Sequence, residues 1–295
     1  MKIKHLVISS AISLALISST FALDLEGTII GKTNSFLDGL TSNVSEQLLN
    51  NDTVKHLEFD IQLQEHLKPT LSLTNVNKIS ESVNSAFFNQ NSISIYDRDQ
   101  TVNLGLGYRT LINEDRVLLG ANIFFDYSFD EAHQRNGAGL EAISSVFDLR
   151  ANYYDATSGI QTLGDGSTEE ALDGWDTRLD YHLPIDNDVR IFASLFEFEN
   201  ASGSFELKGE KYGLTGSFNN LNYEAGYIDD NKTGDGSFAS IKYTIPLGNK
   251  TEKSKSNGEL INYVSVRNRL YDPVKRENKI RVVKISATNI VVSGF

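Results

Sequence analysis

Apolar and polar residues alternate along most of the chain between residues 54 and 247. In the stretch VNLGLGYR, residues 102–109, apolar side chains occupy every second position and Asn, Gly, Gly and Arg stand between them. The stretches 120–127 and 175–182 show the same period. Because successive side chains of a β-strand point to opposite faces, this period predicts strands with one apolar and one polar face.

Twelve such strands are predicted, so the expected fold class is all-β. Their expected bounds are 54–64, 69–77, 85–95, 100–111, 116–129, 134–146, 147–157, 174–183, 188–199, 210–218, 220–229 and 236–247. The connections 112–115, 184–187 and 219–220 are short, whereas 158–173, 200–209 and 229–235 are longer, with glycines and acidic residues.

Two architectures can produce this alternation. A soluble sandwich buries the apolar faces, whereas a membrane barrel turns them towards lipid and keeps a polar lumen. Segments of about 10 residues suit a tilted crossing of the hydrocarbon layer. Aromatic residues near strand ends, such as Tyr108, Phe129, Trp175 and Tyr181, would form interfacial girdles. Short periplasmic turns and long outer loops also favour the barrel, so we predict a 12-stranded antiparallel transmembrane β-barrel.

The first 22 residues have the pattern of a secretory signal peptide. Lys2 and Lys4 precede an apolar run over residues 6–17, and Ala22 offers a small residue for cleavage after it. The run is too short to span a bilayer, and a buried N-terminal helix is the alternative. We expect export through the inner membrane and a periplasmic segment over residues 23–53 that contributes nothing to the wall.

Charge divides the chain into an acidic barrel and a basic C-terminal part. Removing Lys2 and Lys4 from the 27 basic side chains leaves 25 against 39 acidic ones, a net charge of −14. Such a chain is a poor candidate for nucleic-acid binding, and the absence of cysteine excludes disulfides. Between residues 250 and 284, ten Lys or Arg stand against four Asp or Glu. A basic tail on an acidic barrel suits a lumen plug, and a solvated tail is the alternative.

Several motifs follow the order found in one family of bacterial surface proteins. VNLGLGYR at 102–109 is followed by LGANIFFDY at 119–127 and HQRNGAGLE at 133–141, and RLYDPVKRENKI stands at 269–280. Over residues 54–284 the chain resembles the barrel domain of the intimin/invasin, or inverse autotransporter, family. The resemblance implies a translocator barrel at 54–247 in the outer membrane of a Gram-negative cell, and a linker at 248–284 that threads the pore.

Family members carry adhesive domains beyond the linker, whereas only a short tail, residues 285–295, follows it here. We therefore expect a barrel with little or no passenger: a barrel-only member, a truncated relative, or one component of a split system with a separately encoded passenger. The expected partners are outer-membrane lipid and, during insertion, the barrel-assembly machinery.

The linker and the polar strand faces supply the candidate functional residues. Basic linker residues are expected to approach acidic wall residues inside the lumen. These candidates are Arg267, Arg269, Asp272, Lys275 and Arg276 of the linker, and Asp126, Asp176, Asp180 and Glu224 of the wall. Residues 259–267 are expected to form a short helix that ends before Pro273, and residues 279–285 to run extended. Together, residues 259–284 would close the pore.

Other functions are weaker alternatives. An open porin-like channel would prefer cations because of the same acidic residues. An enzyme with Asp130, Glu131 and His133 at its rim has no readable pocket or orienting partner, so no catalytic residue is assigned. The GAGLEA stretch at 137–142 does not stand between a strand and a helix, and the calcium-loop-like start DDNKTG at 229–234 has no glutamate at its twelfth position. No cofactor and no metal site are therefore predicted.

Overall fold

The computed structural model of the chain describes residues 52–65, 67–97, 99–185, 188–245, 247, 263–285 and 290–293. Twelve strands close into one antiparallel barrel. They are β1 (Val54–Gln64), β2 (Thr70–Glu81), β3 (Ser85–Tyr96), β4 (Asp99–Ile112), β5 (Val117–Ser128), β6 (Gln134–Ser144), β7 (Phe147–Ala156), β10 (Asp173–His182), β11 (Arg190–Glu199), β12 (Glu206–Phe218), β13 (Leu221–Asp230) and β14 (Gly234–Thr244). A second sheet contains β8 (Gln161–Thr162), β9 (Thr168–Ala171), β15 (Val282–Ile285) and β16 (Ile290–Ser293).

Each barrel strand pairs with its neighbours along the chain, and β14 closes the barrel on β1, where Ile61 faces Ile241. The prediction of an all-β, 12-stranded antiparallel barrel is confirmed. One of the larger differences in strand bounds is at β2, which continues to Glu81 instead of ending at residue 77. A bulge between Lys78 and Ser80 shifts the register there, so the alternation in the sequence stops before the strand does.

The barrel has the polarity of a membrane protein. Its apolar faces point outwards: Leu104 of β4, Ile123 of β5 and Leu140 of β6 are 46%, 61% and 67% exposed. On the opposite faces, charged residues such as Asp126 and Arg135 are completely buried in the lumen. Apolar residues outside and charges inside distinguish a membrane barrel from a soluble sandwich.

The second sheet, in the order β16-β15-β9-β8, was not predicted. Strands β8 and β9 lie within residues 158–173, which the sequence analysis treated as a loop. The extended conformation expected for residues 279–285 is found in β15, but its partner is β9 of this loop, with Val283 opposite Glu170. Val283 is fully buried in an apolar cluster with Leu172 and Leu207, so the alternating end of the linker leaves the lumen and pairs at its mouth.

Among the described residues, no helix is long and apolar enough to cross a membrane. The expected signal peptide, the segment 23–51 and linker residues 248–262 lie outside the described residues. The helix expected over residues 259–267 is wrong in its described part, where a single 3-10 turn stands at Arg267–Arg269. The backbone N–H of Val264 donates to Oγ of Ser145, and that of Val266 to the carbonyl of Asp115. These two backbone N–H groups therefore bind the barrel and are not available for hydrogen bonds within a helix.

Candidate functional site in the barrel lumen

Residues 264–281, called the lumen linker below, run along the inside of the barrel wall. At one end, Nε of Arg267 lies 2.9 Å from Oδ2 of Asp115, in the turn between β4 and β5. At the other end, Nζ of Lys279 lies 4.5 Å from the ring centroid of Tyr96, the last residue of β3. Because β4 begins where β3 ends and runs back, these two contacts lie at opposite ends of the wall.

An apolar contact holds the middle of the lumen linker. Val274 packs against Phe88 and Phe124. The wall makes room for both rings with glycine: a Cβ on Gly105 would lie 2.2 Å from Cε1 of Phe124, and a Cβ on Gly107 would lie 2.3 Å from Cζ of Phe88. The two glycines of the VNLGLGYR motif are therefore positions where a side chain would collide with the rings that contact the linker.

Wall side chains also hydrogen-bond the linker backbone, as a neighbouring strand would. The backbone N–H of Val274 donates to Oε1 of Gln90 over 2.7 Å, and Nε2 of Gln90 donates to the carbonyl of Val274 over 3.3 Å. Three other wall residues donate to linker carbonyls: Asn103 to Asn278, Arg135 to Glu277 and Asn152 to Lys275. Buried backbone groups need such partners, so the wall supplies them to a chain segment that belongs to no sheet.

Arg109, at the end of the same motif, binds the linker where it turns. The side chain is completely buried, and its Nη1 donates to the carbonyls of Leu270 (3.0 Å) and Asp272 (2.5 Å). Its Nε donates to Oε1 of Glu141 over 2.5 Å. Glu141 thus neutralises and orients the planar guanidinium, which leaves the other donors for the linker. Arg109 and Glu141 were not among the predicted site residues.

Arg276 and Asp126, both candidates from the sequence, lie in contact. Nη2 and Nη1 of Arg276 donate to the two carboxylate oxygens of Asp126 over 2.6 and 2.8 Å. Nε of Arg135 donates to the same carboxylate over 2.9 Å. The Arg276 guanidinium also lies 4.3 Å from the ring centroid of Phe124. One buried carboxylate therefore joins a linker arginine to a wall arginine through charge-assisted hydrogen bonds.

Arg269 pairs with Asp148, a residue that the sequence analysis did not single out. Nη1 and Nη2 of Arg269 donate to the carboxylate over 2.7 and 2.8 Å. Asp148 also accepts from Arg150 (3.1 Å) and Arg190 (3.0 Å), and Nε2 of His182 lies 3.2 Å away. One completely buried carboxylate thus faces basic groups from the linker, β7, β10 and β11.

The other predicted linker residues make fewer contacts with the wall. Nζ of Lys275 lies 3.7 Å from Oδ1 of Asp180, a distance at which the ion pair is weaker than a direct hydrogen bond. Arg267 pairs with Asp115 of the turn rather than with a strand residue. Asp272 accepts from Nε of Arg269 over 3.0 Å, inside the linker.

Two of the predicted wall residues bind other wall residues. Asp176 accepts hydrogen bonds from Asn152 (2.8 Å) and from the hydroxyl of Tyr154 (2.5 Å). Glu224 lies 2.9 Å from Nη2 of Arg178. The predicted basic residues of the linker, Arg267, Arg269, Lys275 and Arg276, form their ion pairs with other carboxylates.

A cavity of about 230 Å³ lies between the lumen linker and the wall formed by β1–β3 and β10–β14. It is lined by charged groups of both, including Lys275 of the linker and Lys211 of β12. On this side the wall pairs with itself: Nζ of Lys242 lies 3.5 Å from Glu58 and 3.4 Å from Asp60. The lumen linker fills one side of the pore and leaves a polar space on the other.

His133, which the sequence analysis considered as part of a catalytic site at the rim, lies at the opposite end of the barrel from His182. Nδ1 of His133 lies 3.1 Å from Oγ of Ser158 at the outer end of the barrel, whereas His182 lies beside Asp148 at the other end. Asp230, in the calcium-loop-like stretch, accepts the backbone N–H groups of Lys232 and Thr233 and so caps its own turn. Over the described ranges, no group of three or more His, Cys, Asp or Glu is placed to hold a metal ion.

At the mouth of the barrel, an exposed ion pair ties β15 to the turn between β8 and β9. Nζ of Lys284 donates to Oδ2 of Asp165 over 2.9 Å. The hydrogen bond from the side chain of Ser167, followed by that from Lys284, lowers the pKa of Asp165 below its usual range. The same pair raises the pKa of Lys284. Both groups are exposed, so their pairing adds little to the backbone pairing of β15 with β9.

Comparisons with known proteins match this geometry. A family model described as "Inverse autotransporter, beta-domain" matches residues 21–278. A structure from work on in-meso crystallization of membrane proteins is 20% identical, covers 78% of this chain and 100% of its own, and superposes with a TM-score of 0.65. The KdgM porin is 9% identical over 64% of this chain and 98% of its own, with a TM-score of 0.45. At 20% identity and this TM-score, the first of these structures shows likeness of fold alone.

Proposed function

The chain belongs to the inverse autotransporter β-domain family, and from this premise we propose that it is a translocator barrel of the outer membrane whose own linker closes the pore. The resemblance read from its motifs is confirmed by the family match. As an outer-membrane barrel it has lipid as its surroundings, and its apolar outer face is suited to them.

The observation that carries the proposal is the way the wall binds the linker. Arg109 donates to two linker carbonyls, and Gln90 makes two hydrogen bonds with the backbone of Val274. Contacts to backbone groups do not depend on which side chain the linker carries. A translocator needs this property, because different segments of a chain must pass the same wall during export.

We further propose that residues 1–22 direct export, that the barrel-assembly machinery inserts the mature chain, and that the protein is not an enzyme. The charge pattern of Lys2 and Lys4 before an apolar run supports the first point. The last is supported by the lumen, where the buried carboxylates of Asp126 and Asp148 are bound by arginines rather than held ready as a general base.

A stand-alone, cation-preferring channel is the second candidate. The cavity of about 230 Å³ beside the linker favours a channel because it leaves polar space in the lumen. Its lining has eight Lys or Arg and five Asp or Glu, so the preference for cations rests on the acidic charge of the whole chain and not on this cavity. In this alternative the linker narrows the pore without closing it.

Planar-bilayer recording separates the two proposals. The full mature chain is compared with a chain that ends at Gly248, after both are shown to be folded by the shift of their gel bands on boiling. A closed pore predicts low conductance from the full chain and a sharp rise on truncation. Equally large, cation-selective currents from both chains would reject closure by the linker and support the channel.

A further inference from the structure

One buried hydroxyl group of the lumen has no partner. Ser94 of β3 is only 2% exposed, and its Oγ has no hydrogen-bond partner among the described residues. The residue lines the cavity of about 230 Å³ beside the lumen linker. Because a buried hydroxyl without a partner costs free energy, a group that enters this cavity and binds Ser94 is favoured.

The cavity extends to the outer end of the barrel. Its lining includes Lys68, in the outer turn between β1 and β2, whose side chain is 62% exposed. Further in, the lining reaches Glu58 of β1 and Lys242 of β14. Among the described residues of the periplasmic turns, none lines the cavity. A ligand would therefore enter from the outside, through the mouth of the barrel.

Charge selects the kind of ligand. The lining contains eight Lys or Arg and five Asp or Glu, although the chain as a whole is acidic. The wall contributes four residues of each sign to the lining. The excess comes from the lumen linker, which adds four basic residues and only one acidic residue, Glu277. The linker thus makes this space repel cations and attract anions.

The acidic residues of the lining already bind other groups of the protein. The two of β1 share a lysine of β14. Glu224 pairs with Arg178, and Asp176 accepts two hydrogen bonds from the wall. Glu277 accepts a hydrogen bond from Nη2 of Arg281 over 2.8 Å. These carboxylates are engaged, so further basic groups in the cavity need a negative charge from elsewhere.

Lys211 of β12 is such a basic group. Of the four basic residues that the wall contributes, the other three pair with carboxylates, whereas Lys211 forms no ion pair within the described ranges. Its Nζ lies 5.7 Å from the ring centroid of Phe196, near the limit of about 6 Å for a cation–π contact. The guanidinium of Arg281 lies 5.2 Å from the same centroid. Two cations beside one ring repel each other, and an anion between them would remove that repulsion.

We propose that this cavity binds a small oxyanion, such as phosphate or a carboxylate, between Lys211 and the basic side of the lumen linker. Ser94 and Ser72, which lie directly opposite each other on β3 and β2, both line the cavity and would donate hydroxyl hydrogen bonds to its oxygens. Lys279 adds positive charge nearby, because its Nζ lies 4.5 Å from the ring centroid of Tyr96, two residues after Ser94.

The size and position of the cavity restrict the ligand further. A cavity of about 230 Å³ is smaller than those that hold drug-sized ligands, so the anion must be small. Since the site lies inside the wall, soluble anions reach it and the head groups of the surrounding lipid do not. The inference requires the linker to lie in the lumen, but it does not require the linker to close the pore.

Isothermal titration calorimetry of the full mature chain in detergent micelles tests the site, with inorganic phosphate as the probe at constant ionic strength. We expect saturable binding of a single phosphate. Lys211→Gln should weaken it about tenfold, because a hydrogen bond between two charged groups is lost. Ser94→Ala should weaken it roughly threefold, since a single uncharged donor is removed. Lys208→Gln, which removes an exposed lysine of the same strand, is the matched control and should not change the affinity.

Three results would overturn the proposal. The first is the absence of saturable binding by the folded wild type, and the second is equal affinity in Lys211→Gln and Lys208→Gln. The third is that chloride at the same concentration reproduces the heats, which would show an effect of ionic strength only. The chain that ends at Gly248 lacks the linker and should bind phosphate at least about tenfold more weakly. Its conductance tests closure of the pore separately, so the two proposals can fail independently.

Discussion

The two sides of the lumen neutralise their buried charges in different ways. On the side of β3–β7, linker arginines pair with buried carboxylates of the wall: Arg276 with Asp126, and Arg269 with Asp148. On the side of β1 and β14, the wall carboxylates pair with a basic residue of the wall itself, because Lys242 lies between Glu58 and Asp60. The linker is therefore a structural part of one side and only a neighbour of the other.

This difference indicates which side of the barrel wall depends on the linker for its stability. Removing one cation from a buried carboxylate leaves its charge less well compensated, which is costly. If the linker left the lumen, β5 and β7 would each lose a cation from a carboxylate, whereas the pairs between β1 and β14 would remain intact. Substitutions on the two sides should consequently affect stability and conductance to different extents.

The largest effect is expected for Asp148→Asn, because three arginines and His182 surround that carboxylate. We expect a loss of about 3–5 kcal/mol in the free energy of unfolding. Glu58→Gln is the matched control, since Lys242 keeps Asp60 as a partner and fewer basic groups lie against Glu58, so its loss should be smaller. Urea unfolding in detergent micelles measures both, and equal losses would contradict the comparison.

A smaller effect, visible mainly in conductance, is expected for Arg276→Gln. Asp126 keeps Arg135, so the variant loses linker contacts worth about 1.5–3 kcal/mol without stranding the carboxylate. The linker should leave the wall more often, and single-channel recordings should show brief openings. Lys242→Gln, on the other side, should leave the closed time unchanged. Openings in both variants would mean that closure does not depend on the β3–β7 side.

The barrel could be predicted from sequence because lipid and lumen impose opposite polarities on successive residues. Leu104, Leu106 and Tyr108 are outside and Asn103 and Arg109 inside for this one reason. The register between linker and wall has no such period. Arg276 meets Asp126, but Arg269 meets Asp148 rather than Asp176 or Asp180, because its position along the pore selects the partner, and spacing in the sequence does not give that position.

Two further features carry no readable pattern. Arg109 stands at a polar position of the alternating pattern, so it could have been chosen as a lumen residue. Its role, however, depends on Glu141, a residue 32 positions away in the sequence. The short strands β8 and β9 are below the length at which alternation can be recognised. They form because β15 supplies a partner from the far end of the chain.

A moderate effect is expected for Gln90, the residue that binds the linker backbone at two points. Gln90→Leu leaves the N–H and carbonyl of Val274 without partners and should cost about 1–3 kcal/mol. Gln90→Glu keeps the acceptor for the N–H and loses only the donor, so its effect should be smaller. Conductance and urea unfolding should rank the variants in this order; a reversed order would mean that the charge of the lumen, rather than backbone pairing, governs the linker here.

The smallest effect is expected outside the lumen, at the pair of Asp165 and Lys284. The pKa of Asp165 is lowered by Ser167 and Lys284, so the pair contributes above the ordinary value of 3.8 and is lost as the pH falls through the lower value. The raised pKa of Lys284 keeps its charge up to and beyond its ordinary value of 10.5. Asp165→Asn should therefore slightly speed external proteolysis of β15 at about pH 7, and the wild type should approach the variant in acid.

The effect at Asp165 should stay small because β15 keeps its backbone pairing with β9 and the burial of Val283. Asp97→Asn, which removes another exposed ion pair, that with Lys68, is the matched control for general effects of charge. Conductance should not change in either variant, since neither pair touches the lumen linker. A large rise in conductance for Asp165→Asn would show that the outer sheet, and not only the β3–β7 side of the lumen, holds the linker in place.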